Sequence, residues 1–75
     1  MRNSDNKNVF SKREREILLL MSDGYNNQKI AETLRISLRT VQNHINNMHQ
    51  KANVHSAIEL LLYGIKEQYV IVKKS

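Results

Sequence analysis

No cysteine occurs in this 75-residue chain. Disulfides and cysteine-ligated zinc are therefore excluded as braces, and the fold has to rest on packed aliphatic side chains. Proline is also absent and only two glycines are present, so the chain has few helix breakers and suits helices joined by tight links. Tryptophan is missing; one Phe and three Tyr are the whole aromatic complement. No apolar run approaches the ~20 residues needed to cross a bilayer, so no membrane partner is expected. The opening MRNSDNKN is polar and lacks the apolar segment of a signal peptide. A cytoplasmic location is the resulting expectation. What the chain has in excess is positive charge, 12 Lys and Arg against 7 Asp and Glu, for a net +5. Such a balance suits a polyanionic partner.

Hydrophobic spacing predicts one small all-α domain over residues 10–72, after a polar head or linker remnant at 1–9 and before a basic tail at 73–75. SKRE at Ser11–Glu14 is a capping box that opens the first helix, and Gly24 closes it. Ile17, Leu18 and Met21, with Leu20 beside them, form its apolar stripe. Asn26 or Asn27 caps a short second helix that carries Ile30, Ala31 and Leu34 on one face. Ser37 caps a third, with Val41, Ile45, Met48 and Ala52 inward and Asn53 as its stop. SAIE at Ser56–Glu59 repeats the capping-box pattern before a fourth helix, whose inward stripe reads as Ile58, Leu61, Leu62, Ile65 and Tyr69. On that phase Leu60, Tyr63 and Gly64 form an exposed patch, with Gly64 permitting close approach of a partner helix. The closing YVIVKKS is either a frayed helix end or a short extended tail.

The second and third helices are separated only by Arg35–Ile36–Ser37. A link so short cannot let them fold back antiparallel and holds them at a steep angle, a helix-turn-helix within a four-helix bundle. With Val41, Ile45 and Met48 inward, the third helix is left with Arg39 and five amides outside: Gln42, Asn43, Asn46, Asn47 and Gln50. Asn is a mediocre helix former, and an ordinary solvated face draws on Glu and Lys instead. An amide offers a paired donor and acceptor that match the N6 and N7 edge of adenine in the major groove. Arg39, Thr40, Lys29 and Lys51 lie around it, suited to phosphates. From Arg39 to Lys51 there is no acidic residue. The plainer alternative is a solvated face in a chain that uses much Asn.

The stretch FSKREREILLLMSDGYNNQKIAETLRISLRTVQNHINNMHQKANV resembles the LuxR-type (GerE- and NarL-like) helix-turn-helix of bacterial transcription regulators. The shared features are KREREIL, Gly24, Asn27 ahead of KIA, LRIS, TVQNH, and Lys51 with Val54 three residues on. The likeness runs without a gap from Phe10 to about Val70. It implies a domain that binds double-stranded DNA with its third helix in the major groove, as a homodimer on an inverted repeat paired through the fourth helix. RNA polymerase is a further candidate partner. Positions the family turns toward bases fall on Gln42, Asn43 and Asn46; those near the backbone fall on Asn27, Lys29, Arg39, Thr40, Asn47 and Lys51. The expected dimer contact is Leu60, Tyr63 and Gly64. One departure is Ala57, where the family usually places an Arg in the turn entering the last helix, and this puts the packing of that turn in question.

No cofactor is expected. His44 and His49 are five residues apart and point to different faces of one helix, without a carboxylate at ligand spacing, so no metal site is expected either. So small a bundle offers no cleft for catalysis, and Glu14 and Glu16 read as cap and dipole partners. The rival reading is a protein-interaction module with an incidental basic face. It does not require an acid-free amide surface. Whether the chain is a whole regulator from Met1 or the output domain of a longer signalling protein is left open by the sequence.

Overall fold

A computed structural model of the chain describes residues 9–70. Residues 1–8 of the expected head, the basic tail at 73–75, and Ile71 and Val72 lie outside the described residues. Among those described there are four helices and no strand: α1 (Lys12–Ser22), α2 (Asn27–Leu34), α3 (Leu38–Ala52) and α4 (Ala57–Lys66). None of these helices is long and apolar enough to cross a membrane.

Each helix begins where a short polar side chain supplies an acceptor to the otherwise unsatisfied amides of the first turn. Ser11 Oγ accepts from Glu14 N–H at 3.1 Å while Glu14 Oε1 accepts from Ser11 N–H at 2.9 Å, the reciprocal box expected for α1. Of the two candidates for α2, Asn26 is the cap, accepting from Lys29 N–H at 2.8 Å. Ser37 caps α3 through Thr40 N–H at 3.0 Å. At α4 the expected reciprocal box does not close. Ser56 accepts from Glu59 N–H, but Glu59 reaches one residue further back, to His55 N–H at 2.7 Å. That bond ties the chain entering α4 to its first turn, and Ala57, the first residue of α4, is exposed.

The helices stop at left-handed residues. Gly24 (φ +93°) lies past the end of α1, Arg35 (φ +59°) caps α2 and Asn53 (φ +57°) caps α3. At Arg35 the reversal lets Ile36 N–H return to Ala31 C=O at 3.0 Å, which turns the chain sharply into α3.

Phe10, Ile17, Leu18, Ile30, Ala31, Val41, Met48, Leu60 and Val70 form the core, and Leu34, Ile36, Ile45 and Ala52 pack on its margin. The inward stripes of α1, α2 and α3 are those the spacing gives. That of α4 is not. Leu60 is fully buried and Gly64 buried, whereas Ile58 is 70% and Leu62 59% exposed, with Ile65 on the same outer face. Leu60, Gly64 and half-buried Tyr63 are therefore packing residues, which removes them from any exposed patch. The cause is a close approach: a Cβ on Gly64 would lie 2.8 Å from Leu18 Cδ2 and 3.1 Å from Val70 Cγ2. Gly64 thus serves a contact within the chain, against Leu18 of α1 and Val70. Tyr63 lies beside Phe10, ring centroids 5.6 Å apart, and burial, with Glu67 adding to it, pushes its hydroxyl pKa up. Beyond α4 the chain turns back, Tyr69 N–H bonding Gly64 C=O at 2.8 Å, so that Tyr69 stacks on Phe10 and Val70 enters the core.

Candidate nucleic-acid interface

The surface of α3 follows from the phase of its buried side. Val41 and Met48 are buried and Ile45 partly so, which turns Arg39, Gln42, Asn43, Asn46, Asn47 and Gln50 outward, all exposed. Arg39, Asn43, Asn46 and Gln50 recur at i, i+4, i+7 and i+11, one straight stripe along the helix. Among the described residues, none of the amides of Gln42, Asn43, Asn46 and Asn47 is engaged in a side-chain hydrogen bond within the protein. Their donors and acceptors are presented in pairs, free for an external partner.

The electrostatics are uneven along the molecule. First turns of α1 and α4 carry Glu14 and Glu59, the usual complement to the positive helix end, but those of α2 and α3 carry no acid. Lys29 stands exposed in the first turn of α2 and Arg39 in the first turn of α3, beside Thr40, whose hydroxyl pairs with Ser37 Oγ at 2.9 Å. Two positive helix ends, two free cations and a row of amides thus belong to one helix-turn-helix. Asn27 is half-buried at the head of α2.

Lys51, unlike Lys29 and Arg39, is ion-paired. Its Nζ donates to Glu14 Oε1 at 2.7 Å, and Glu14 is only 3% exposed. Burial raises the Glu14 pKa; the Lys51 hydrogen bond, the Ser11 amide, and the charges of Lys51 and His44 outweigh it, so the carboxyl lies below its ordinary 4.5. Glu14 is thus both the reciprocal partner of Ser11 in the capping box of α1 and the anchor of the far end of α3. Lys51, expected on the DNA backbone, is exposed but paired with Glu14 and so also braces the bundle.

At the carboxyl end of α3, Asn46, His49, Gln50, Asn53, Val54 and His55 line an open polar depression. Within it His49 Nε2 is shut off from solvent without a hydrogen-bond partner. Among the described residues no group of three or more His, Cys, Asp or Glu could hold a metal ion.

Residues 8–63 match the family model described as bacterial regulatory proteins, luxR family. The chain belongs to the luxR family. The luxR-type domain is 43% identical over 65 residues to the transcriptional regulatory protein DegU of Brevibacillus brevis, covering 87% of this chain and 28% of that protein. It is 45% identical over 60 residues to the oxygen regulatory protein NreC of Staphylococcus carnosus, covering 80% of this chain and 28% of NreC. The chain thus spans under a third of the length of these curated relatives. Among solved structures, that of the transcription factor GerE superposes with a TM-score of 0.79 at 34% identity, covering 81% of this chain and 91% of that one. The response regulator ChrA of a heme-sensing two-component system superposes with a TM-score of 0.78 at 28% identity, over 81% of this chain and 30% of ChrA. The all-α helix-turn-helix architecture of the luxR-type domain is therefore shared with known regulators.

Proposed function

We propose that this luxR-type domain binds double-stranded DNA sequence-specifically in transcription regulation, with α3 in the major groove and two copies on an inverted repeat. The observation that carries the proposal is the exposed, acid-free amide face of α3, headed by a helix end without a neutralising acid. Gln42, Asn43 and Asn46 are the base readers, with adenine favoured over guanine because no Lys or Arg stands among them. Lys29, Arg39, Thr40, Asn27 and Asn47 position the helix on phosphates.

Pairing falls to α4, through a face different from the one its sequence suggests. Ile58, Leu62 and Ile65 stand at i, i+4 and i+7 on its outer side and form an exposed apolar stripe. Glu59 and Lys66 flank it near opposite ends of the helix. A twofold pairing of α4 against α4 sets Glu59 of one copy toward Lys66 of the other, so the stripe and its flank complement themselves. One short helix buries little area, so the free dimer is weak and DNA promotes its assembly.

Selection from random duplex DNA, followed by titration of the recovered site at increasing salt, tests the reading. Two to three neutralised phosphates per subunit predict that log K falls against log salt with a slope of about −2 to −3 per subunit. Failure to retain any duplex, or a flat response across low to physiological salt, refutes DNA binding and favours a protein-interaction module.

A further inference from the structure

Among the exposed large apolar side chains, Leu38 is the one on α3, with 38% of its surface accessible. It is the first helical residue after the Ser37 cap. Leu38 stands three residues before Val41 and seven before Ile45, at the edge of the inward stripe, yet over a third of it stays accessible. First turns favour proline or an acid, and the inward side of α3 is already filled by Val41, Ile45 and Met48. Leu38 stands four residues before Gln42, so the two side chains share one edge of the helix. The first turn of a recognition helix is the part that approaches base edges most closely. In the major groove those edges are polar except for one group, the C5 methyl of thymine.

We infer that Leu38 is a specificity-determining residue that packs on a thymine methyl beside the base addressed by Gln42. One helical turn advances 5.4 Å and successive bases of a strand are 3.4 Å apart, so the thymine lies about one to two base steps from the Gln42 position. The inference rests on the DNA-binding reading and adds to it a hydrophobic determinant that hydrogen-bonding inventories of α3 omit.

Deoxyuridine tests it, because it differs from thymidine by that methyl alone. Each thymine of the selected site is replaced in turn and affinity is measured for wild type, Leu38→Ala and Leu38→Met, with thermal unfolding as a control on the fold. Wild type is expected to lose about 3- to 5-fold at one thymine per half-site, the worth of a buried methyl group. Leu38→Met keeps that loss, whereas Leu38→Ala binds the thymine and deoxyuridine sites equally. A leucine that merely packs within the protein weakens both sites in parallel and leaves the ratio unchanged. That result, or indifference of the wild type to every methyl, overturns the inference while leaving DNA binding intact. Absence of duplex binding overturns both.

Discussion

Replacing Lys51 by Met should destabilise the domain more than replacing its partner Glu14 by Gln. The asymmetry follows from burial. Glu14 is 3% exposed, whereas the Lys51 side chain is 39% exposed. Lys51→Met leaves a carboxylate in the interior with only the Ser11 amide to satisfy it. Breaking a buried pair this way costs roughly 3–5 kcal/mol; with Lys51 part-exposed and solvent-screened, about 2–3 kcal/mol is the better expectation. Glu14→Gln removes charge but retains a capping acceptor, and the freed ammonium reaches water, so the loss is about 1 kcal/mol. For a domain of this size the two variants should melt roughly 8–20 °C and 4–8 °C below wild type. Urea and thermal unfolding of both single variants and the double variant close a cycle whose coupling is on the order of 1–2 kcal/mol. The pH dependence separates the variants further. In wild type the Glu14 pKa is depressed, so its contribution is complete above the ordinary 4.5 and is lost as pH falls through the lower folded value. In Lys51→Met burial is no longer opposed by the ammonium, so the deficit is largest at neutral pH and shrinks as the carboxyl protonates. Equal destabilisation by the two substitutions, or a Lys51→Met deficit that is constant from neutral to acid pH, refutes the assignment of Lys51 to the core brace.

Asn43→Ala and Gln42→Ala should each weaken the selected site by about 1–3 kcal/mol and random duplex far less, while Arg39→Ala weakens both alike in electrophoretic or anisotropy titrations. Leu62→Lys should leave helicity and melting near wild type yet reduce affinity for an inverted repeat at least about tenfold, with an isolated half-site hardly affected. Leu60→Ala, in contrast, should lose roughly 2–5 kcal/mol of stability, since Leu60 is fully buried. Gly64→Ala gains about 1 kcal/mol of helix propensity but forces a methyl against Leu18 at a penalty of roughly 1–3 kcal/mol. The net expectation is a fall of about 1 kcal/mol in denaturant unfolding, and a stabilised variant contradicts the tight α1–α4 contact.

The caps, the helix-turn-helix and the phase of α3 could be read in the sequence because each is a local pattern: Ser11, Asn26 and Ser37 act within three residues of themselves. The phase of α4 could not. Leu60, Leu61 and Leu62 are consecutive, so more than one apolar stripe fits, and the stripe with more large side chains faces the core only at Leu61 and Tyr69. What decides is a contact between Gly64 and Leu18, for which the only local sign is a glycine within a helix. The Lys51–Glu14 pair joins residues 37 apart, and Glu14 already had a sufficient explanation as a cap. Gln42, Asn43 and Asn46 could be placed on the exposed face because Val41, Ile45 and Met48 mark the inward side of α3.

The stack of Tyr69 on Phe10, centroids 5.2 Å apart, brings the two ends of the folded unit together. With its first and last core residues so close, the bundle can hang from a neighbour as a pendant instead of standing between two neighbours as a spacer. Tension applied across the two ends then loads the contacts of Val70 and of the Phe10–Tyr69 stack before the helices between them. Mechanically the domain should peel open from its termini at low force, and joining residue 70 to residue 10 by a short linker, with new ends cut in an exposed loop, should give a permuted chain of the same fold.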